Sequence, residues 1–567
     1  MVRSILILVF IIICSAPRCL SQVINPDDRL RQIVSQYRQA EVTLPYTDKK
    51  TVEVLTINVS ILSVKDNLVY ISLSPLNVEW FIQQKYDYNI AEKVATRRVL
   101  SAANVSQAME WDKYPTYSQY DSIMLGFATL YPSLCKLDTI GTSINGKLVL
   151  ALKISDNESV SEDKPRVFYS STMHGDETGG FIMMLHLADY LLKNYTGNNR
   201  VKNLVDSLEI WINPLANPDG TYGTGNTITS PTRYNANGYD LNRNFPDPIT
   251  PYTVKQKETL DMIKFMRKHR FVLSANFHSG AEVVNYPWDR WLTKFHADDN
   301  WFNGISRSYA DTVHVYSGPA YMSFLNNGIT RGAEWYLVYG GRQDFITYEL
   351  QGREVTIELD DQYVTPEAQL TLLWQNNWHS LLGYLENALY GIHGLVRNVN
   401  TKVPVPAKVF IEGHDKDSSQ VYSDTLTGSF VRLLSPGTWN LTFSAVGYWP
   451  AHVNNVIVTS GQKTDLIVDM SPVLDGIEST NMSTPVLLYP NPANNVIKAL
   501  LPDIMAGDIN VRVINQAGRL MSDYNTIAVQ GIPLSMDVKS LSPGTYTAVF
   551  IKTTGNSSCY GRFVIIK

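Results

Sequence analysis

Apolar and polar positions alternate along the 567-residue chain in patterns that change from one region to the next. Between residues 109 and 389, short apolar runs of strand length alternate with longer stretches that repeat apolar residues at helical spacing. Arg166–Ser170 predicts a buried strand, and Gly179–Leu192 predicts a helix. Such alternation predicts an α/β domain with a mixed central sheet flanked by helices.

Residues 22–108 predict a small α+β module in front of this central domain. An amphipathic pattern predicts a helix over Asp27–Ala40, and period-two alternation predicts strands over Val52–Val59 and Val69–Leu73. A helix is expected over Asn77–Tyr86, followed by a strand over Tyr88–Ile90.

After residue 389 the helical patterns stop. Residues 390–471 contain short β-rich runs separated by Gly, Pro and Asn, which predict a small β-sandwich. Residues 472–485 are rich in Ser, Thr and Asn and are predicted to be a linker. Residues 486–567 return to short strands and turns. The sequence therefore predicts two C-terminal all-β sandwich domains.

The first 21 residues have the pattern of a secretory signal peptide. Arg3 supplies the positive start, and Ile5–Ile13 is an apolar core too short to span a bilayer. Cleavage is expected just before Gln22, and a membrane anchor is the alternative. No later stretch is apolar over the length that a bilayer requires.

Composition narrows the functional classes. The chain is 44% hydrophobic and 18% charged, which predicts a globular protein. Its net charge is −5 and it has no block of basic residues, so nucleic acid is not an expected partner. Of its four cysteines, two fall in the predicted signal peptide, which leaves Cys135 and Cys559 far apart in sequence. A disulfide framework is therefore not expected.

The first candidate metal ligands lie where predicted strands end. His174 and Glu177 follow the strand at 166–170, and His278 follows the apolar run Phe271–Phe277. Two imidazoles and one carboxylate are a donor set typical of catalytic zinc, which keeps a fourth position open. His174 and Glu177 alone would more often form a solvated turn, so the later motifs decide the interpretation.

Two later segments add candidate residues for substrate binding and catalysis. Arg233–Pro246 is dense in Asn and carries two arginines ten positions apart, and Arg binds a carboxylate in a bidentate manner. Glu358 interrupts an apolar strand, where a carboxylate is costly unless it has a role such as general base. The alternatives are an ordinary polar loop and a strand-end salt bridge.

Taken together, residues Trp111–Leu389 resemble the zinc metallocarboxypeptidases of the carboxypeptidase A/B superfamily, and in particular the regulatory subfamily of the carboxypeptidase D, E and N type. The resemblance implies one zinc ion, no further cofactor, and a peptide or protein C-terminus as substrate. It implies that the metal ligands are His174, Glu177 and His278. It implies that Glu358 activates water and that Arg233 stabilises the oxyanion. It implies that Asn242 and Arg243 hold the substrate's terminal carboxylate and that Tyr336 closes over the bound end.

The same resemblance bears on specificity. An aspartate at the position of Asp289 in the regulatory subfamily lines the side-chain pocket and favours C-terminal Lys or Arg. Arg290 follows directly and could neutralise Asp289. A preference for apolar residues or for cell-wall peptides is the alternative.

The flanking regions also resemble known modules. Residues 390–471 resemble the transthyretin-like module that follows the catalytic domain in the regulatory subfamily. Residues 486–567 resemble a sorting domain of the type IX secretion system, through Leu488–Ala493, Leu541–Tyr546 and the terminal Arg562–Lys567. This implies contact with that machinery, passage across an outer membrane, and a secreted or cell-surface location. A plain β adhesion module is the alternative.

The sequence thus predicts a secreted zinc exopeptidase. Ahead of such an enzyme, residues 22–108 suggest a pro-region, with a plain accessory domain as an equal alternative. The rival from another class is a non-catalytic surface-binding protein in which the β domains act and the central domain is a relic.

Overall fold

The computed structural model describes residues 25–91, 99–157, 162–249, 255–473, 482–554 and 557–566. The predicted signal peptide lies outside the described residues, as does most of the predicted linker. None of the helices in the described ranges has both the length and the apolar character needed to cross a bilayer. Cys135 and Cys559 are both buried, in different domains.

The N-terminal domain, residues 25–91, is a four-stranded sheet of order β2-β3-β1-β4 with helices packed on it. Its elements are α1 (Pro26–Tyr37), β1 (Ala40–Pro45), α2 (Lys49–Asn58), β2 (Ser60–Lys65), β3 (Leu68–Leu73), α3 (Val78–Gln83) and β4 (Asn89–Ile90).

The strand predicted over Val52–Val59 is wrong, because the structure forms α2 there. Asp48 caps this helix by accepting a hydrogen bond from the backbone N–H of Thr51 at 2.7 Å. Val52, Leu55 and Thr56 are buried along one face, at spacings of three and four residues. The tertiary contacts of that face outweigh the strand preference of the β-branched residues.

The central domain contains an eight-stranded mixed sheet of order β11-β10-β12-β9-β7-β8-β6-β5. Parallel pairs in the middle of the sheet are flanked by antiparallel pairs, which confirms the predicted α/β architecture with a mixed sheet. The strands are β5 (Cys135–Thr142), β6 (Leu148–Ile154), β7 (Arg166–Ser171), β8 (Glu209–Asn213), β9 (Leu273–His278), β10 (Ala281–Tyr286), β11 (Ile329–Arg331) and β12 (Arg353–Asp360).

Helices cover this sheet and bury its faces. The helix α6 follows β7, is almost wholly buried, and joins the main hydrophobic core with strands β6 to β9. The helices are α4 (Val105–Ala108), α5 (Tyr117–Leu130), α6 (Gly179–Asn194), α7 (Asn199–Ser207), α8 (Pro218–Tyr222), α9 (Lys257–His269), α10 (Asp299–Ser317), α11 (Phe324–Gly328), α12 (Gly332–Trp335), α13 (Arg342–Glu349) and α14 (Glu367–Glu386), with 3-10 turns at Leu241–Arg243 and Asn387–Leu389.

The β-sandwich domain, residues 390–471, packs a sheet of order β16-β13-β19 against one of order β15-β14-β17-β18 around a shared apolar core. Its strands are β13 (Gly391–Asn398), β14 (Lys408–Ile411), β15 (Val421–Tyr422), β16 (Ser429–Arg432), β17 (Gly437–Ser444), β18 (Ala451–Val458) and β19 (Lys463–Met470).

The C-terminal domain also has two sheets, of order β20-β27-β26-β23-β24 and β21-β22-β25, around one apolar core. Its first strand, β20, occupies the end of the segment predicted as linker and pairs with β27. Its strands are β20 (Met482–Pro485), β21 (Leu487–Tyr489), β22 (Val496–Leu500), β23 (Gly507–Asn515), β24 (Leu520–Ala528), β25 (Leu534–Asp537), β26 (Gly544–Lys552) and β27 (Ser558–Ile565), with a 3-10 turn at Asp503–Met505.

Candidate metal centre

Three neighbouring strands bring the candidate residues together. The strands β7, β9 and β12 are adjacent and parallel in the central sheet. His174 and Glu177 lie in the turn after β7, and His278 is the last residue of β9. Glu358 of β12 is the register partner of His278. The carboxyl ends of parallel strands meet at one edge of a sheet, which is where sites collect.

His174, Glu177 and His278 form a compact buried cluster. Glu177 Oε1 lies 2.8 Å from His174 Nδ1, and Glu177 Oε2 lies 2.7 Å from His278 Nδ1. The two imidazole Nδ1 atoms are 3.1 Å apart. Two ring nitrogens that face each other in this way, beside a carboxylate, direct their lone pairs at one point. The donor set and its geometry therefore fit a zinc ion.

The electrostatics of this cluster favour metal-binding protonation states at two of the three ligands. Burial opposes ionisation of Glu177, but the imidazoles of His174 and His278 outweigh it and lower the pKa of Glu177 well below its usual range. Burial lowers the pKa of His278 to about 4. An ionised carboxylate and a neutral imidazole are the forms that ligate metal.

At His174 the balance is reversed. Burial and the nearby Arg233 lower the pKa of His174, yet the carboxylates of Glu177 and Asp240 outweigh them and raise it. A metal at this position would therefore compete with a proton on His174, which makes binding dependent on pH.

Two residues that the sequence did not single out support the ligands from behind. Asp240 Oδ1 lies 3.1 Å from His174 Nε2, and Asn276 Nδ2 lies 2.6 Å from His278 Nε2. Partners of this kind fix the orientation of a ligating ring. The only sequence signal for Asp240 was its place inside the Asn-rich segment 233–246.

Arg233 is buried between two carboxylates. Its Nε donates to Asp240 Oδ2 at 2.9 Å, and its Nη1 donates to Glu177 Oε1 at 3.1 Å. Burial opposes its charge, but Asp240 and Glu177 outweigh this and raise the pKa of Arg233 above its usual range. The guanidinium is therefore a fixed positive charge beside the candidate metal site.

Glu358 lines the same cavity and is partly buried. Burial, reinforced by the negative charge of Glu177, raises its pKa well above the usual range for a carboxyl group. Among the described residues its Oε2 has no hydrogen-bond partner. An unpaired carboxylate oxygen with a raised pKa is suited to accept and return a proton.

The residues predicted to hold a terminal carboxylate also converge here. Asn242, Arg243 and Tyr336 line the cavity that contains the metal cluster. The carbonyl oxygen of Asn242 accepts a hydrogen bond from Arg243 Nη1 at 2.9 Å, and Asn242 Oδ1 accepts one from the backbone N–H of Arg342 at 2.9 Å. Burial raises the pKa of Tyr336 to about 12, so its hydroxyl stays protonated at neutral pH.

Asp289 lies at another wall of this cavity. Its Oδ1 accepts hydrogen bonds from Gln343 Nε2 at 3.0 Å and Asn285 Nδ2 at 3.2 Å. Burial raises its pKa to about 7. The expectation that Arg290 could neutralise Asp289 does not hold, because Arg290 Nε lies 3.2 Å from Asp247 Oδ1.

Two further clusters of candidate ligands occur among the described residues. In the first, His414 Nε2 lies 2.7 Å from Asp298 Oδ1, close to Asp415. Arg353 and Arg432 donate to Asp298 as well, so this cluster is a charge-paired network. The other cluster consists of Glu282, Asp360 and Asp361.

Comparison with known proteins adds two family matches. Residues 120–380 match the model of the zinc carboxypeptidase family, Peptidase_M14. Residues 487–567 match the model described as a secretion system C-terminal sorting domain.

Individual relatives were found as well. Carboxypeptidase M of Mus musculus is 30% identical over 398 residues, which cover 66% of this chain and 89% of that protein. Carboxypeptidase D of Rattus norvegicus is 35% identical over 350 residues, which cover 59% of this chain and 25% of that protein, so the match spans about a quarter of its length. The crystal structure of the carboxypeptidase A from Helicoverpa armigera is 17% identical with a TM-score of 0.47, covering 62% of this chain and 97% of that one.

Proposed function

This chain belongs to the zinc carboxypeptidase family, and we propose on that basis that it is an exported metallocarboxypeptidase that hydrolyses the C-terminal peptide bond of peptides or proteins. The observation that carries the proposal is the convergence of His174, Glu177, His278 and Glu358 on one cavity. His174 and Glu177 lie in the turn after β7, His278 is in β9 and Glu358 is in β12, so segments far apart in sequence supply the four side chains. A single-metal site beside a carboxylate that can act as general base is an arrangement suited to hydrolysis of a peptide bond.

His174, Glu177 and His278 would hold one zinc ion. When bound, zinc supplies Lewis acidity that polarises the scissile carbonyl group. Glu358 takes a proton from the attacking water through its free oxygen Oε2 and passes it to the leaving amine. Burial raises the pKa of Glu358 well above the usual range, so the group can hold the proton taken from water before passing it on.

Arg233 stabilises the negative charge that develops on the carbonyl oxygen. Its guanidinium is already fixed by Asp240 and Glu177, so little reorganisation is needed when the charge appears. Arg243 and Asn242 bind the terminal carboxylate of the substrate, since a guanidinium and an amide together match its two oxygens. Tyr336 closes over the bound end.

The substrate preference follows from Asp289. Its carboxylate faces the cavity beside two amide groups, and Gly332 leaves the space that the carboxylate occupies. No arginine or lysine in the described part of the chain forms a salt bridge with it. A buried carboxylate of this kind favours a cationic side chain. We therefore propose a preference for C-terminal Lys or Arg, with apolar residues or cell-wall peptides as the alternative.

Export is proposed through the C-terminal domain. Its match to secretion sorting domains supports recognition by the type IX secretion machinery and a secreted or cell-surface location. The transthyretin-like identity of residues 390–471 is part of the same proposal, supported by their two-sheet sandwich.

Mass spectrometry of a peptide mixture before and after incubation with the zinc-loaded protein tests the proposal. Residues should leave one at a time from the C-terminus, with Arg and Lys first. Rapid release of Phe or Leu instead would overturn the specificity. A protein that binds zinc and leaves every peptide intact would favour the non-catalytic surface binder.

A further inference from the structure

Arg342 and Glu354 form an ion pair inside the central domain, and both side chains are completely buried. Arg342 Nη2 donates to Glu354 Oε2 at 2.9 Å. The guanidinium group also lies 5.1 Å from the centre of the Phe168 ring, and its Nη1 donates to Asn276 Oδ1 at 3.4 Å. Arg342 begins α13, whereas these three partners lie on β7, β9 and β12. One side chain therefore holds the start of this helix against the strands that supply the candidate site.

This ion pair is a costly way to fill the space, because both charges have left water. Burial raises the pKa of the Glu354 carboxyl group above its usual value even though Arg342 lies beside it. Arg342 Nε is buried without a hydrogen-bond partner among the described residues. Apolar side chains of similar size often fill such a space with equal or greater stability. The role of the pair therefore lies in the residues that it holds in place.

The first turn of α13 holds two of the groups proposed to bind substrate. The backbone N–H of Arg342 donates to Asn242 Oδ1 at 2.9 Å, which leaves the amide nitrogen of Asn242 available as a donor to a substrate carboxylate. The side chain of Gln343 donates to Asp289 Oδ1 at 3.0 Å. Asp344 Oδ1 accepts a hydrogen bond from the backbone N–H of Asp289 at 3.0 Å. This turn therefore places both the proposed carboxylate-binding amide and the proposed specificity carboxylate.

Glu354 is a fixed point for this turn, because it lies in a central strand of the sheet. The strand β12 pairs with β9 on one side and with β10 on the other. A strand that is hydrogen-bonded along both edges has little freedom to shift. Residues 336–341, which lead into α13, form neither helix nor strand. The contact between Arg342 and Glu354 therefore joins a turn that is free to shift to a strand that is not.

We propose that Arg342 and Glu354 are positioning residues for substrate binding. Their contact holds the first turn of α13 so that Asn242 and Asp289 meet the C-terminal residue of the substrate. Neither Arg342 nor Glu354 lines the cavity at the metal cluster, so both act through the residues that they hold. The inference rests on the proposed function, which supplies the identity of the substrate.

Two variants separate positioning from stability. Arg342→Met combined with Glu354→Leu removes both charges at once and fills the space with apolar atoms, so the domain should be at least as stable as the wild type. Glu354→Gln is the conservative variant, which keeps an oxygen acceptor for Arg342 but removes its counter-charge, so the domain should be less stable. Thr347→Val is the matched control, because Thr347 is fully buried on the same helix and its hydroxyl has no hydrogen-bond partner in the described part of the chain.

Three quantities are measured on the full-length, zinc-loaded proteins. They are the steady-state constants for a peptide with C-terminal Arg, the dissociation constant of free arginine, and the denaturant midpoint of unfolding. In the double variant, KM and the dissociation constant of arginine should rise about tenfold, which is the effect of losing one hydrogen bond to a charged group, while kcat stays nearly unchanged. In Glu354→Gln the midpoint should fall while KM changes little. Thr347→Val should leave all three quantities unchanged.

The outcomes are distinct. Unchanged KM and arginine affinity in the double variant, or a KM that follows stability through both variants, would refute the positioning role. If no protein hydrolyses the peptide but arginine binds more weakly to the double variant, the inference stands and the proposed function fails. If every protein hydrolyses the peptide with the same constants, the proposed function stands and the inference fails. Loss of zinc from the double variant would assign the pair to His278, through Asn276, and overturn its role at the substrate-binding turn.

Discussion

Asp240 Oδ1 lies 3.1 Å from His174 Nε2, on the side of the imidazole opposite the nitrogen that faces the metal site. The second oxygen of the same carboxylate accepts a hydrogen bond from Arg233 at 2.9 Å. One buried side chain thus orients the proposed metal ligand His174 and the proposed oxyanion-stabilising residue Arg233 together. The coupling predicts that a change at Asp240 weakens metal binding and catalysis in one step.

Asp240→Asn should lower zinc affinity about 10- to 100-fold, because the ligand ring loses the charged partner that orients it. It should also lower kcat, since Arg233 loses one of its two anionic partners. Competition with a chelator of known affinity measures the first effect. Asp465→Asn, an exposed change on the β-sandwich domain, is the control, and equal zinc affinity in both variants would contradict the proposed role.

Glu358→Gln should lower kcat about 100- to 10,000-fold through loss of the proton acceptor. Zinc should remain bound in a one-to-one ratio, because Glu358 is not part of the three-residue ligand cluster. Steady-state kinetics and metal analysis of the same sample check both statements. Retention of full turnover would remove Glu358 from the mechanism.

The proposed preference for basic C-terminal residues should depend on pH through Asp289. Its pKa is raised to about 7, so the side chain is mostly neutral below that pH and charged above it. The ratio of kcat/KM for C-terminal Arg to that for uncharged citrulline should therefore rise between about pH 6 and 8.

The substitution Asp289→Asn should make this ratio independent of pH and lower it about tenfold or more at pH 8, because the cation loses its charged hydrogen-bond acceptor. The citrulline peptide serves as the control, since its rate should change little. A ratio that still rises with pH in the variant would assign the preference to another group.

Much of the fold could be predicted because its core strands have strong patterns. Arg166–Ser170 and Phe271–Phe277 are largely apolar, as is typical of buried parallel strands, and both appear within one or two residues of the predicted bounds. The helix α2 could not be predicted in this way. Its buried positions fit a helix, but its β-branched residues also fit a strand, and only its tertiary contacts decide.

Some residues of the candidate site could likewise be predicted from the sequence, and others could not. His174, Glu177 and Glu358 could be proposed as site residues from the sequence, because each is an ionisable residue that follows or interrupts an apolar run. Asp240 has no such context, and its role depends on the folded distance to His174. The pairing of Arg290 with Asp247 likewise depends on a contact between residues far apart in sequence.

A last prediction concerns the junction between the central domain and the β-sandwich domain. Asp298 of the central domain is fully buried and accepts hydrogen bonds from Arg353 and Arg432, and His414 lies 2.7 Å away. Arg432 and His414 belong to the β-sandwich domain, so this carboxylate joins the two domains. The arginines outweigh the effect of burial and lower the pKa of Asp298 well below its usual range.

Asp298→Ala should leave two buried arginines without their main partner and lower the free energy of unfolding by about 3–5 kcal/mol. Asp469→Ala is the matched control, because it removes only solvent-accessible ion pairs, with Arg397 and Lys402, and should cost less than about 1 kcal/mol. Denaturant unfolding followed by signals from both domains measures the difference. In the wild type the two domains should unfold together, whereas in Asp298→Ala the β-sandwich domain should unfold first. Equal stability of the two variants would show that the network does not hold the domains together.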